Sequence, residues 1–226
     1  MNNLIDISNL KKSYHQDNFD VNVLKKINLK VNRGDFISII GPSGSGKTTL
    51  LNILGTIDKF DDGQYFFNNE NIKKFNESNI DRFRNENIGF VHQFHYLINE
   101  LTTVENTILP LLILGKTIQS ATNEAKKLLI EFGLEDKINS KIKYLSGGEQ
   151  QRVAIARSMI NNPNLIIADE MTGNLDEKQS ESIIEFFLEQ AKIKKQTIIF
   201  VTHNKNLALK ANKKYQLENG ILINYN

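Results

Sequence analysis

Apolar positions along the chain fall into short dense runs separated by longer amphipathic stretches. Leu4 to Tyr14 and Val21 to Val31 read as two paired strands, with Asp17 to Asp20 between them. Gly34 and Asp35 turn the chain into Phe36 to Ile40, FISII, a short apolar and β-branched run of the kind buried in a sheet. Gly63 to Asn68, GQYFFN, predicts another strand after an Asp-Asp-Gly turn. Ile80 to Asn87 is polar and predicted helical, and Ile88 to His92 returns as a strand. From Phe94 to Tyr144 the pattern turns helical, as in Ala121 to Phe132, with Gly133 as a stop. Gly147 to Asn161 predicts a helix. Leu165 to Ala168 and Thr197 to Thr202 are apolar runs suited to strands covered on both faces, joined by a helix from Glu177 to about Ile193. Strands alternating with helices predict an α/β fold with a mainly parallel core sheet. The first strands add an antiparallel β-subdomain. The expected organisation is a single domain, 1–226, with a core from 1–93 and 145–226 and an inserted helical lobe at 94–144.

Three segments carry chemistry. The first is GPSGSGKT, Gly41 to Thr48, which fits G-x-x-x-x-G-K-[ST] at every fixed position. It follows a predicted strand, and TLLNILG, Thr49 to Gly55, predicts a helix after it. Gly41, Gly44 and Gly46 allow a turn that aims successive N–H groups inward, and the helix N-terminus adds positive potential. Gly41, Pro42, Ser43, Gly44, Ser45, Gly46, Lys47, Thr48 and Thr49 are therefore expected to cradle the phosphates of a nucleotide. Lys47 would reach the β- and γ-phosphates and Thr48 would hold Mg²⁺. The second segment is LIIADE, Leu165 to Glu170, where an apolar strand runs into two carboxylates. Strand C-termini are where α/β sheets bind ligands. Asp169 is expected in the Mg²⁺ shell and Glu170 to orient or deprotonate the attacking water. The third is LSGGEQQR, Leu145 to Arg152. Ser146, Gly147 and Gly148 open a helix, so their N–H groups and the Ser hydroxyl form an anion site. Read alone, the same residues are a helix cap with Glu149 as capping carboxylate.

GPSGSGKT, LSGGEQQR and LIIADE all occur in this chain, and their arrangement resembles the ATP-binding-cassette (ABC) ATPases over essentially all 226 residues. That resemblance implies a P-loop NTPase fold and a head-to-tail dimer. Each ATP would lie between Lys47 of one copy and Ser146, Gly147, Gly148 and Glu149 of the other. It also implies roles that the residues alone do not show. Tyr14 matches the aromatic residue that stacks on adenine. Gln93, after GFVH, matches the loop glutamine that touches Mg²⁺ or water and faces the membrane partner. His203, in FVTHN, matches the switch histidine at the γ-phosphate, and Asp176, in GNLD, matches the loop that crosses between subunits.

Within that family the segment Gly89 to Ile113 is similar to the bacterial lipoprotein-releasing ATPases. It carries Gln93-Phe94-His95-Tyr96-Leu97, then Glu105-Asn106 and Pro110-Leu111-Leu112-Ile113. The resemblance implies an ATPase subunit at the cytoplasmic face of the inner membrane, driving a separate integral permease. Phe94 to Glu100, with the start of the next helix, is the expected groove for a short permease helix. Leu54 to Asp58 and Thr172 to Asp176 fit a wider group of macrolide and peptide exporters and the cell-division ATPase, so export and cell-wall signalling stand as alternatives. A soluble ABC ATPase of repair or translation would carry tandem cassettes or a coiled-coil insertion, and neither is in this sequence. Three departures stand out: Met171 and Ile142 where the family usually has Pro, and Ile98-Asn99 for a usual Leu-Pro.

Composition adds limits. A net charge of +2 without a basic block gives no reason to expect nucleic acid, and the absence of Cys excludes thiolate metal sites. The longest apolar run, Thr107 to Leu114, is far shorter than the ~20 residues that span a bilayer. No charged-then-apolar leader opens the chain, so a soluble chain is expected, with any membrane role needing a separate partner. His92 and His95 have no obvious acidic third ligand, and His95 and Tyr96 read as packed or partner-facing.

Overall fold

A computed structural model describes residues 3–16, 19–170, 177–193 and 195–225. In chain order the elements are β1 (Asn3–Gln16), β2 (Phe19–Asn32), β3 (Phe36–Ile40), α1 (Lys47–Leu54), β4 (Asp62–Phe67) and β5 (Glu70–Asn71). Then come α2 (Glu77–Asn87), β6 (Ile88–Val91), α3 (Thr103–Ile113), α4 (Ile118–Glu131), α5 (Gly147–Met159) and β7 (Leu165–Asp169). The chain closes with α6 (Glu177–Ile193), β8 (Thr197–Val201), α7 (Lys205–Leu209), β9 (Lys213–Glu218) and β10 (Ile221–Asn224).

Two sheets result. The strands β2-β1-β4-β5 form an antiparallel sheet, and β10-β9-β3-β8-β7-β6 form the core sheet. In the core sheet β9, β3, β8, β7 and β6 run parallel, and only β10 is antiparallel. Parallel pairing has one consequence that governs the rest of the molecule. The C-terminal ends of β3, β6, β7 and β8 meet at one edge, so whatever follows each strand is gathered there.

The central strands are almost wholly apolar because both faces are covered. Alternate residues serve opposite cores. Phe36, Ile166, Ala168, Ile198 and Phe200 pack with Ile108, Leu111, Leu129 and Val153 of the helices. Ile37, Ile39, Ile167, Ile199 and Val201 pack with Leu50 and Leu54 of α1 and with Ile5, Ile7, Tyr65 and Phe67 of the antiparallel sheet. Buried polar groups sit at the joints. Ser38 Oγ donates to Ala208 O at 3.0 Å, holding α7 to β3, and Tyr65 donates its hydroxyl to Leu54 O at 2.8 Å.

Several boundaries differ from the sequence reading for local reasons. α2 starts at Glu77, not Ile80, because Asn76 caps it by accepting from Asn79 N. α1 starts at Lys47, directly after Gly46 in the left-handed conformation (φ 98°). α3 opens with a capping box between Thr102 and Glu105, and it contains Pro110, whose carbonyl accepts from Asn85 Nδ2 at 3.0 Å. The β9–β10 hairpin was not anticipated. Its turn is Asn219-Gly220, with φ of 50° and 76°, the pair that a tight hairpin favours. No helix among the described residues is long and apolar enough to cross a membrane.

Candidate active site

The loop between β3 and α1 is shaped for close backbone approach. Gly44 and Gly46 have φ of 75° and 98°, which side chains rarely tolerate. A Cβ at Gly41 would lie 2.3 Å from Leu217 O, and one at Gly46 would lie 2.8 Å from Val23 Cγ1. Ser45 Oγ is buried with no hydrogen-bond partner. Lys47 Nζ donates to Gly41 O (3.0 Å) and Pro42 O (2.8 Å), lying across the loop it belongs to. Burial lowers the Lys47 pKa, and the carboxylates of Glu170 and Asp169 oppose that shift. Ser43 lies exposed on the same loop.

The carboxylates arrive from β7. Thr48 donates its hydroxyl to Asp169 Oδ2 at 3.0 Å. Burial raises the Asp169 pKa, the Thr48 hydrogen bond lowers it, and the like charge of Glu170 raises it again. Glu170, one residue on, adopts a left-handed φ of 46° and donates its N–H to Val201 O. Such a conformation in a non-Gly residue costs about 1–3 kcal/mol and concentrates at functional sites. It turns the side chain toward β8, where Glu170 Oε1 lies 2.5 Å from His203 Nε2. Gln93 stands two residues past β6, in a turn closed by His95 N–H to His92 O at 3.2 Å.

Tyr14, near the end of β1, donates to Asp58 Oδ2 at 2.6 Å, and the Lys12 ammonium lies 4.8 Å from its ring centre. Asp58 and Thr49 both reach the phenol, whose pKa burial and Asp58 push up. Asp58 is thus a site neighbour that the sequence offered only as the last residue of LGTID.

Ser146, Gly147, Gly148 and Glu149 form a separate group. Ser146 caps α5: its Oγ accepts from Glu149 N at 3.3 Å, and Glu149 Oε2 accepts from Ser146 N at 2.7 Å. The Glu149 carboxylate therefore completes a capping box, and the Ser146 N–H holds its pKa down. Among the described residues, no hydrogen bond or ion pair joins this group to Lys47, Thr48, Asp169, Glu170 or His203. One chain thus brings Lys47, Thr48, Asp169, Glu170 and His203 together, and the Ser146 cap shares none of those contacts among the described residues. Asp176, with Met171 and Thr172, lies outside the described residues.

Fold and site together define a P-loop NTPase. The chain matches the ABC transporter family over residues 24–173, and it belongs to that family. A protein of Rickettsia typhi, named as the lipoprotein-releasing system ATP-binding protein LolD, is 45% identical over 221 residues, covering 98% of each chain. One of the same name from Legionella pneumophila is 42% identical over 223 residues, again covering 98% of each. Among solved structures, the dimeric ABC transporter cassette MJ0796 is 37% identical with a TM-score of 0.89, covering 96% of each chain. A dimeric post-hydrolysis form of MJ0796 bound to ADP and Pi is 35% identical with a TM-score of 0.89, covering 97% of this chain and 98% of that one.

The raised pKa of Asp169 has a measurable consequence for stability. A carboxyl that resists ionisation in the fold destabilises the fold above its pKa, and the effect disappears below the ordinary value of 3.8. Asp169→Asn keeps an acceptor for Thr48 and removes the charge. Its melting temperature is expected to exceed that of the native chain at neutral pH. The gap should close as the pH falls toward about 4. Equal melting temperatures across that range would contradict the burial effect.

Proposed function

We propose that this ABC ATPase powers a separate integral membrane permease that releases lipoproteins from the outer leaflet of the inner membrane. The chain works from the cytoplasmic face, bound peripherally to the permease. The observation that carries the substrate is similarity along the whole length, not the phosphate loop alone, to proteins named as lipoprotein-releasing ATP-binding subunits.

The chemistry is hydrolysis of ATP. The N–H groups of Gly41 to Thr49 and the Lys47 ammonium bind the phosphates. Tyr14 offers a ring to the adenine. Thr48, Asp169 and Gln93 supply hydroxyl, carboxylate and amide oxygens, the hard donors that Mg²⁺ takes, and Thr48 and Asp169 already lie side by side. Mg²⁺ held there would neutralise charge on the phosphate oxygens. Glu170 accepts the proton of the attacking water. His203, in contact with Glu170, fixes that carboxylate and reaches the γ-phosphate. The second half of the site comes from another copy. Ser146, Gly147 and Gly148 present the α5 N-terminus to the nucleotide held by the partner's loop, with Glu149 fixing the cap. Asp176 is assigned to the same crossing. A separate cap, unconnected to the chain's own phosphate loop, supports this reading.

The permease-facing surface is Phe94 to Glu100 with the start of α3. Phe94 is 69% exposed and Tyr96 65% exposed, two aromatic residues presented to solvent by the same loop. Leu97, which the sequence grouped with them, packs instead against the helical core, so a charge there would damage packing. Phe94→Asp and Tyr96→Asp are therefore the informative changes. Each is expected to keep basal ATPase within about two-fold, since neither ring serves the phosphate site, and to lose permease capture in a pull-down. Lipoprotein release from proteoliposomes holding the permease should fall in parallel. Normal capture and release by both variants would remove this surface from the coupling path, and release without ATP would remove the reading itself.

A further inference from the structure

The loop that presents Phe94 and Tyr96 is held from behind by a residue that none of the three motifs assigns a role. Arg157, near the C-terminal end of α5, donates Nη1 to Tyr96 O at 2.8 Å and Nη2 to His95 O at 2.6 Å. One guanidinium thus spans two consecutive carbonyls. Both carbonyls belong to residues in left-handed conformation, His95 at φ 47° and Tyr96 at φ 46°, which side chains adopt reluctantly. The corner needs an external clamp, and the planar fork of Arg fits it in a way a Lys point charge cannot. Arg157 is largely desolvated, and no carboxylate of the described residues lies within ion-pair distance of it. Its charge is met by carbonyl dipoles of the loop. A second clamp secures the next residues. The buried Asn106 of α3 accepts from Ile98 N at 2.8 Å and donates to Ile98 O at 3.0 Å. α3 and α5 share one apolar core through Ile108, Leu111, Val153 and Ala156. The loop is therefore tied to these two helices, although its chain leaves from β6 of the core sheet.

The other end of α5 is the Ser146 cap. Arg157 lies eleven positions after Ser146, about 16 Å along a helix. We propose that Arg157 is a positioning residue that locks the Phe94–Tyr96 corner to α5, so that a shift of the Ser146 cap onto the second copy's nucleotide is delivered to the permease-facing rings. This rests on the composite-site reading above and adds the mechanical link it lacks. Direct bonding to backbone carbonyls transmits a helix displacement without depending on the loop's own side chains.

The chain contains no Trp, so Tyr96→Trp introduces a single reporter indole at the corner. The test uses Tyr96→Trp in a Glu170→Gln background, with Arg157 native, Arg157→Lys or Arg157→Met. Light scattering reports ATP-induced dimerisation and the indole emission reports the corner. With Arg157 native, ATP is expected to shift the emission as dimers form. With Lys or Met, dimerisation should stay within about two-fold while the ATP-dependent emission shift falls at least five-fold. An equal shift in all three proteins overturns the proposal. So does a dimer of the native-Arg157 protein with no shift, and so does loss of dimerisation in both Arg157 variants, which would place Arg157 in the dimer contact. Failure of the native-Arg157 protein to dimerise strikes the composite-site reading instead, and the link with it. Thermal melts of both variants identify loss through unfolding. Arg157→Lys, which keeps charge and length, decides the matter should the Met variant not fold.

Discussion

Glu170→Gln is expected to slow ATP hydrolysis by about 10²–10⁴-fold while ATP binding stays intact. The amide has the size of the carboxylate and keeps the contact with His203, now 2.5 Å in the native chain, but it cannot take a proton from water. The phosphate loop, Lys47 and the Thr48–Asp169 pair are untouched by the change. The measurement pairs phosphate release at saturating ATP with equilibrium binding of a fluorescent ATP analogue. Native turnover would remove Glu170 from the reaction, and lost binding would mean that the change damages the loop.

The second large effect concerns the divided site. Lys47→Ala and Ser146→Arg should each abolish turnover alone, because each damages both sites of its own dimer. Mixed in equal amounts, half of the dimers are heterodimers. In each of these one site draws Lys47 and Ser146 from undamaged positions. Activity should recover to about a quarter of native if one site suffices. The structure adds a control. Ser146 caps α5, so replacing it costs the helix about 1 kcal/mol whatever happens at the site. A circular-dichroism melt must show that Ser146→Arg is folded before its inactivity is read as catalytic. A folded pair that regains nothing on mixing would speak against the trans arrangement.

The parts legible in the sequence were those whose cause is local. FISII, LIIAD and TIIFV are apolar on both faces because two cores flank the sheet, so each announces a buried strand. Once those strands are parallel, the residues after them must gather at one edge, which is why Asp169 and Glu170 could be grouped with Lys47 before any coordinates; His203 joined them through the family resemblance. The Ser146 to Glu149 segment was read both as an anion site and as a helix cap, and the capping box is present in full. Other features have no local signature. The clasp of Arg157 on His95 and Tyr96 joins positions 61 and 62 residues apart. Leu97 turns inward between exposed neighbours because left-handed residues precede it, and no periodicity marks that reversal. The closing hairpin did carry its signal, Asn219-Gly220. β10 lies at the sheet edge, and both strands carry polar residues on many positions, so the apolar pattern that revealed the others was missing.

The claim on which the rest depends is that ATP joins two copies of this chain, each completing the other's site. Sedimentation velocity of Glu170→Gln, with and without ATP and Mg²⁺, addresses it directly. The expected result is a species of the 25.8 kDa chain mass without nucleotide, converted by ATP to one of twice that mass. A protein that binds ATP stoichiometrically and still sediments as the single chain would contradict it.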